Sequence, residues 1–319
     1  DELKENKKDG QKIKLFKNFR SRKEVLNFTN LVFENIMSKD LGDVEYNQEE
    51  YLNYGANFQC LEDENINFAG KTELNIINLK EDERLDDLQR NGYKLIQNTK
   101  IFCFGIDAVL LCSFTKVNEG DKVLDLCTGN GVIPILLKGR TKGSRFSGLE
   151  IQDINVDMAK RSVEYNGIGE FVDIVKGDVK EASGIFGGAS FDVVTCNPPY
   201  MNENHGLKNP DSHKAIARHE ILCTLEDVVR EGAKVLKPGG RFNMVHRPQR
   251  LTEIIGIMEK YKLQPKRIRF VHPFIEKEAN LVLIEGVRGG RPMIKVEPPV
   301  IVYESAGKYT DEIASLYTR

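Results

Sequence analysis

The chain lacks the local patterns that mark metal-binding, exported and membrane-spanning proteins. Its six cysteines form no C-x-x-C pair and no His/Cys cluster at ligand spacing, which argues against both a zinc site and a disulfide framework. The amino-terminal region contains no apolar signal-peptide core, and nowhere does an apolar run reach the length of a membrane span. We therefore expect a cytoplasmic protein that needs no metal and does not enter a membrane.

The overall charge gives no general attraction to a polyanion. The 319 residues are 40% hydrophobic and 29% charged, with a formal net charge of -2, so a nucleic-acid partner would have to meet a local basic patch. Length alone favours two domains. Residues up to Lys23 are rich in lysine and arginine, whereas 40–64 hold eight acidic residues and no basic one, which indicates a boundary region.

The pattern of apolar residues predicts an α/β fold. A helix is expected over 21–37, where Ser21 and Glu24 have capping-box form, and a strand over 73–79. From Tyr93 onward, strands predicted at 122–126, 145–149, 171–175, 191–196 and 241–245 alternate with helices at 132–138, 153–166 and 222–236. This order predicts a mostly parallel sheet with helices on both faces, closed by an antiparallel hairpin at 268–271 and 280–285.

A glycine-rich turn follows the first strand of this sheet. Gly129 and Gly131 allow a ligand to approach the backbone closely, but the third glycine of a dinucleotide turn is missing and Pro134 stands nearby instead. This spacing favours a cofactor without a pyrophosphate, such as S-adenosylmethionine.

Two acidic residues at the ends of the following strands extend this predicted pocket. Glu150 can accept hydrogen bonds from both ribose hydroxyls, and Asp178 can accept one from the adenine amine. Glu150 is also compatible with a solvated strand end, and Asp178 with a helix cap. Asp125 is expected to orient the glycine turn. The predicted pocket comprises Asp125, Cys127, Thr128, Gly129, Asn130, Gly131, Glu150, Ile151, Asp178, Val179 and Asn197.

The loop Asn197-Pro198-Pro199-Tyr200 ends the fourth strand and is the predicted catalytic segment. An adenine amine is a weak nucleophile because its lone pair is delocalised into the ring. The side-chain carbonyl of Asn197 and the backbone carbonyl of Pro198 can each accept one N–H and aim the nitrogen at a methyl donor. The prolines restrict the loop, and Tyr200 can stack on an extruded base. The same loop could hold another planar amine, such as a glutamine amide.

With these residues identified, the chain resembles the class I S-adenosylmethionine-dependent methyltransferases with an Asn-Pro-Pro-Tyr motif. Residues 80–319 resemble the bacterial tRNA(Val) adenine-N6 methyltransferases, which methylate adenine 37 beside the anticodon. The likeness extends to Phe104-Gly105-Ile106-Asp107, Arg218-His219-Glu220 and His246-Arg247-Pro248. It implies a tRNA substrate and a cofactor covered by Gln97, Phe104 and Asp107. It also implies a cover segment at 80–117, a core at 118–246 and a carboxyl-terminal extension at 247–319.

Residues 1–79 resemble a different family. Lys17 to Arg22, the helix after them, Tyr46 and Tyr51 are similar to an internal piece of the UvrD-like subunit of AddA-type helicase-nucleases. The sequence contains no complete G-x-x-x-x-G-K-[ST] motif. Gly70-Lys71-Thr72 matches the end of the motif, but Asn65 occupies the position of its first glycine. We expect no helicase activity from this segment, and interpret it as a fusion remnant that folds poorly alone.

RNA contacts are expected on the carboxyl-terminal side. Between 260 and 295 there are nine basic residues (260, 262, 266, 267, 269, 277, 288, 291 and 295) against three acidic ones (276, 278 and 285), a surplus that suits a phosphate backbone or a solvated surface. The polar segment 201–219 follows the catalytic loop and is expected to cover the substrate. The predicted RNA contacts are Arg218, His219, Arg247, Lys266, Arg267 and Arg269.

Three other functions remain open from sequence, and one of them is methylation of a different amino group in RNA or DNA. Release-factor glutamine methyltransferases share the Asn-Pro-Pro-Tyr motif, but they carry a helical recognition domain ahead of the catalytic one, whereas the basic surplus here follows it. An inactive nucleic-acid-binding chimera is the non-enzymatic alternative.

Overall fold

The computed structural model describes residues 23–36, 79–101, 103–200 and 223–317. The chain divides into two compact units, 1–76 and 77–319. In the first unit the described part is helix α1 (Lys23–Ile36), which confirms the predicted helix. The capping residue Ser21, residues 73–78 of the expected strand and the helicase-like residues around it lie outside the described residues.

The second unit begins with a hairpin and a helix ahead of the main sheet. Strands β1 (Glu83–Asp87) and β2 (Lys94–Asn98) pair antiparallel, and α2 (Ile106–Phe114) follows them. The remaining helices are α3 (Val132–Arg140), α4 (Asp153–Tyr165), α5 (Ala182–Phe186), α6 (Leu225–Val235), α7 (Leu251–Lys260) and α8 (Asp311–Tyr317).

The main sheet confirms the predicted α/β architecture. Its long strands are β3 (Lys122–Leu126), β4 (Arg145–Glu150), β5 (Val172–Lys176), β6 (Phe191–Cys196), β7 (Leu236–His246), β8 (Leu263–His272) and β9 (Leu281–Arg288). The short strands are β10 (Lys295–Val296), β11 (Val300–Ile301), β12 (Tyr303–Ser305) and β13 (Lys308–Tyr309). The order is β10-β8-β9-β7-β6-β3-β4-β5, with β11 also on β8, and β12 and β13 form a separate antiparallel pair.

Strand directions also agree with the sequence. Strand β9 runs antiparallel to β7 and β8, so the expected hairpin closes the sheet, and the other pairings of the sheet are parallel. Successive residues of a strand face opposite sides. Val123 accordingly packs in one buried cluster with α2, α3 and α4, and Leu124 packs in another with α6 and α7. Both faces of the sheet are therefore covered by helices, as expected for parallel strands.

The carboxyl ends of β3 and β6 lie side by side. Leu126 pairs with Cys196, so the glycine turn after β3 and the Asn-Pro-Pro-Tyr loop after β6 leave the same edge of the sheet. The chain continues from β3 to β4 on one side, whereas β6 lies on the other. Such a change of direction opens a crevice, where ligands bind in folds of this type.

Candidate active site

The turn after β3 adopts a backbone that requires glycine. Gly129 and Gly131 have φ angles of 57° and 81°, in the left-handed region that glycine enters without strain. A Cβ on Gly131 would lie 3.0 Å from the Cβ of Ala159, so this glycine also allows α3 and α4 to pack closely. Apart from its two chain neighbours, no described residue has an atom within 4 Å of a Cβ built on Gly129, so the turn is open toward this part of the chain.

A cavity of about 1040 Å³, open to solvent, lies over this edge of the sheet. The predicted residues that line it are Phe104, Cys127, Thr128, Gly129, Asn130, Glu150, Ile151, Asp178, Val179, Asn197 and Pro199. Gln97, Asp107, Asp125, Gly131, Pro198 and Tyr200 are not part of the lining. Sequence reasoning missed Ile101, Gln152, Asn155 and Cys223, which also line the cavity. Gln152 and Asn155 stand two and five positions after Glu150, and this closeness in sequence was the signal that could have identified them.

Glu150 holds the glycine turn in place. One carboxylate oxygen accepts the backbone N–H of Gly129 and the other accepts that of Gln152, each at 2.9 Å. Burial raises the pKa of Glu150, and these backbone bonds oppose that rise. A carboxylate oxygen has two lone pairs. Glu150 therefore keeps acceptor capacity for a ligand while it fixes the turn.

Asp178 caps a turn and also lies in the cavity wall, and its role toward an adenine amine stays a prediction. Its side chain caps a short 3-10 turn by accepting the backbone N–H of Lys180 at 2.9 Å, and the residue also lines the cavity. The capping bond fixes the carboxylate beside the apolar side chain of Val179. Asp178 follows β5 and Asn197 follows β6, and two strands separate β5 from β6. The Asp178 carboxylate is therefore a fixed hydrogen-bond acceptor at the end of the cavity away from Asn197.

Gln97 connects the amino-terminal hairpin with the glycine turn. Its side-chain carbonyl accepts the backbone N–H of Phe104 at 3.0 Å and the side-chain amide of Asn130 at 3.4 Å, and its own NH2 group donates to Asp86. Gln97 is 2% exposed and lies behind the lining. It therefore positions Phe104 and Asn130, which do line the cavity.

Asp125 lies fully buried beneath the turn. Its carboxylate accepts the hydroxyl of Thr195 on the neighbouring strand at 2.7 Å. Burial raises the pKa of Asp125 to about 7. The residue supports the junction of β3 and β6 from below and does not line the cavity, in keeping with an orienting role.

The catalytic-loop residues form a hydrogen-bonded group with Asp107. The side-chain NH2 of Asn197 donates to Asp107 Oδ2 at 3.2 Å, and the hydroxyl of Tyr200 lies 2.9 Å from the same oxygen. The hydroxyl of Tyr200 also contacts the side-chain carbonyl of Asn197. Burial and the nearby Asp107 carboxylate hold the pKa of Tyr200 well above its usual range, so the phenol is neutral at physiological pH.

Two residues at the end of β7 surround the Tyr200 ring. The His246 ring packs edge-on at a centroid distance of 5.2 Å, and the guanidinium carbon of Arg247 lies 5.3 Å from the Tyr200 centroid. Burial lowers the pKa of His246 to about 4, so its imidazole is neutral at physiological pH. Arg247 is exposed and donates to the backbone carbonyl of Asn280 at 3.0 Å. It presents a positive charge beside the catalytic loop.

The other predicted RNA contacts differ in how accessible they are. The Arg267 side chain is 11% exposed, pairs with Glu285 at 2.9 Å and donates to the carbonyl of Phe114. This geometry argues against the RNA contact expected of Arg267, because its guanidinium is already bound inside the protein. Arg269 pairs with Glu312, and Lys266 donates to the carbonyl of Arg291. Arg218, His219 and the segment 201–219 lie outside the described residues.

The fold and the site define the class of protein. The solved structure of a predicted O-methyltransferase from Agrobacterium tumefaciens superposes with a TM-score of 0.54 over 66% of this chain and 95% of that one, at 22% identity. This likeness confirms a class I methyltransferase fold. The family model described as "Methyltransferase small domain" matches residues 93–263, and the chain belongs to this family. Membership makes the chain a methyltransferase and implies that S-adenosylmethionine is its methyl donor.

Curated relatives match the two parts of the chain separately. A tRNA1(Val) (adenine(37)-N6)-methyltransferase from Porphyromonas gingivalis is 27% identical over 221 residues, which cover 66% of this chain and 86% of that protein. An ATP-dependent helicase/nuclease protein from Clostridioides difficile is 48% identical over 77 residues, which make up 24% of this chain and 6% of the helicase/nuclease. Both resemblances expected from sequence are thereby confirmed.

Two features are absent from the described residues. Among the helices in this part of the chain, none combines the length and apolar character needed to cross a membrane. The same residues contain no group of three or more histidine, cysteine or acidic side chains arranged to hold a metal ion.

Proposed function

We propose that this protein transfers a methyl group from S-adenosylmethionine to the N6 nitrogen of an adenine in tRNA, with adenine 37 of tRNA(Val) as the target. One observation carries the proposal. Asn197 and the glycine turn line the same cavity, at the ends of neighbouring strands. A donor held by the turn and an amine held by Asn197 would therefore meet in one space.

The residues of the cavity fit the proposed cofactor. The glycine turn leaves open space at Gly129, and Glu150 retains acceptor capacity for hydroxyl groups. The side chains of Ile151 and Val179 supply apolar walls for a purine, and Asp178 lies next to Val179 as an acceptor for its amine. When bound, the cofactor supplies an electrophilic methyl group on a sulfonium.

The chain's own residues have the task of holding the acceptor nitrogen. The side-chain carbonyl of Asn197 and the backbone carbonyl of Pro198 accept the two N–H bonds of the amine, which turns its lone pair toward the donor. Pro198 is buried and Pro199 lines the cavity, so the loop has little freedom to relax away from this arrangement. Tyr200 stays neutral, so its phenol adds no negative charge to the site.

A tRNA substrate is favoured by two independent features. The relatives that align with most of the methyltransferase unit carry that activity in their names. Arg247 presents an exposed guanidinium beside the catalytic loop, where a phosphate next to an extruded base would lie. Lys266 is half-buried on β8, which β9 separates from β7, and its contact with RNA stays a prediction.

Incubation of the protein with labelled S-adenosylmethionine and unmodified bacterial tRNA tests the proposal. Digestion of the tRNA to nucleosides should yield labelled N6-methyladenosine, and tRNA(Val) should be the preferred species in a purified set. A reaction without the protein serves as the background control. Label that appears only on a release factor added to the same mixture would refute the RNA substrate in favour of glutamine methylation. Label on neither acceptor would refute the activity as proposed.

A further inference from the structure

Asp107 lies where it can control the orientation of the Asn197 side chain. Its Oδ2 atom accepts the Asn197 NH2 group at 3.2 Å and lies 2.9 Å from the Tyr200 hydroxyl. Its Oδ1 atom accepts the backbone N–H of Ala108 at 2.9 Å. Asp107 is not among the residues that line the cavity. Its contacts therefore point to the catalytic loop and away from the cofactor role that the family resemblance implies.

The helix that carries Asp107 makes this contact rigid. Ala108, Val109 and Leu111 of α2 are each at most 3% exposed and pack in the core against the sheet. The bond between Asp107 Oδ1 and its neighbour's N–H fixes the carboxylate on the first turn of that helix. Asn197 is thus held by a group whose own position is set by the core of the fold.

The two ends of an asparagine amide have nearly the same shape but opposite hydrogen-bonding character. An ionised carboxylate can only accept hydrogen bonds, so only the NH2 end of Asn197 can face Asp107 favourably. The side-chain carbonyl must then point the other way. We propose that Asp107 is a positioning residue that selects this orientation of Asn197, so that the carbonyl faces the acceptor amine; this inference rests on the function proposed above.

Tyr200 completes the arrangement. Its hydroxyl has one proton and two neighbouring acceptors, Asp107 Oδ2 and the carbonyl of Asn197. In the absence of substrate the proton can satisfy the Asn197 carbonyl. When an amine binds to that carbonyl, the same proton turns to Asp107, and no acceptor of the group is left without a partner. Asp107 therefore also allows Tyr200 to release Asn197 for the substrate.

A double-mutant cycle tests the proposal. The variants are Asp107→Asn, Asn197→Ala, the pair together, and Asp311→Asn as a control, since Asp311 is exposed in the first turn of α8. An amide at 107 can present NH2 toward Asn197, so the Asn197 amide should turn over and lose its role. We expect kcat for Asp107→Asn to fall about 10- to 100-fold, with KM for S-adenosylmethionine within about twofold of wild type.

The cycle also distinguishes an effect of Asp107 that is exerted through Asn197 from a general loss of folded structure. Adding Asp107→Asn to Asn197→Ala should lower kcat little further, because the group on which Asp107 acts is already gone. Asp311→Asn should behave as wild type, and the thermal midpoints of all variants should stay close together. Additive losses in the double variant would overturn the proposal, as would a rise in the cofactor KM without loss of kcat.

A measurement without turnover distinguishes failure of this inference from failure of the proposed function. In the NMR spectrum of 15N-asparagine-labelled wild-type protein, the side-chain NH2 of Asn197 is identified by its loss in Asn197→Ala. In the wild-type protein we expect the NH2 protons of Asn197 to have a chemical shift displaced from the solvent-exposed value by the carboxylate acceptor. In Asp107→Asn this shift should return toward the solvent-exposed value. Solvent-like shifts in the wild-type protein would overturn the inference even if tRNA is methylated. If the enzyme modifies a release factor instead, the same cycle is run on that acceptor.

Discussion

Arg267 and Arg247 are both predicted from sequence to contact RNA, and we expect their substitution to have opposite effects on stability and on RNA binding. Arg267→Met removes a guanidinium that is bound to Glu285, Glu297 and the carbonyl of Phe114 and lies 4.1 Å over the Phe114 ring. Arg247→Met removes an exposed guanidinium that, among the described residues, bonds to the carbonyl of Asn280. Methionine keeps the length and apolar stem in both cases.

The two substitutions should lower the free energy of unfolding by different amounts. The Glu285 side chain is 7% exposed, so Arg267→Met leaves a buried carboxylate without its main partner. Breaking a buried ion pair in this way typically costs about 3–5 kcal/mol, which lowers the melting midpoint of a domain of this size by roughly 10 °C. Replacing both partners, in Arg267→Met/Glu285→Leu, should recover part of the loss because the unpaired charge is gone.

Arg247→Met should instead affect RNA binding. The bond from Arg247 to the carbonyl of Asn280 is worth about 0.5–1.5 kcal/mol, so the melting midpoint should move by only a few degrees. If Arg247 neutralises one phosphate, the slope of log affinity for tRNA against log salt should decrease by about 1.

Thermal unfolding and a salt series of tRNA binding, measured on the same preparations, decide between these roles. Arg267→Met should lose stability and keep the wild-type salt slope at temperatures where it is folded. Arg247→Met should show the reverse. If Arg267→Met melted like wild type and lost the salt dependence, the assignment of Arg267 to the interior would be refuted, and its expected RNA contact would stand.

Three further outcomes follow from the site. Asn197→Ala should lower kcat severely, to a residual rate that single-turnover assays still measure, and leave cofactor affinity nearly unchanged in equilibrium dialysis; a large loss of affinity would contradict its role toward the acceptor. Gly131→Ala should unfold more easily in urea than Gly129→Ala, because only the former brings a methyl within 3.0 Å of Ala159, and equal losses would show that backbone strain alone matters. Since burial raises the pKa of Asp125 to about 7, the stability that it contributes is complete below pH about 4 and decreases as pH rises toward 7. Asp125→Asn should flatten the plot of unfolding free energy against pH between about 4 and 7, and an unchanged slope there would refute the raised pKa of Asp125.

The fold was predictable from sequence because its signals are local. Strand β6 has the predicted bounds, and the catalytic loop follows it directly. Strand β7 was predicted to begin at 241, whereas it begins at Leu236, because Pro238 and two glycines suggest a turn. The structure accommodates these residues through a register shift against β6, between Phe191 and Val193, and a positive φ at Gly239.

The side-chain partners were less predictable because they depend on register between distant segments. Arg267 meets Glu285 only because β8 and β9 pair with an irregularity between Pro265 and Arg267. Asp107 and Asn197 are ninety positions apart and meet because α2 packs on the face of the sheet below the catalytic loop. The charge count over 260–295 treats Arg267 like the other basic residues there, since it contains no information on which cation is buried.

Both halves of the site are fixed in the same physical way. Glu150 accepts the backbone N–H of Gly129 and holds the turn, and Asp107 accepts the NH2 of Asn197 and holds the catalytic amide. Each carboxylate comes from a different element than the group it holds, and each is anchored by another backbone N–H, from Gln152 or from Ala108. Methyl transfer requires donor and acceptor to approach along a defined line, so small errors in either half reduce the rate strongly. Because each anchor accepts a hydrogen bond from the group that it holds, that group cannot turn over without losing its partner, and the geometry is set before any ligand binds.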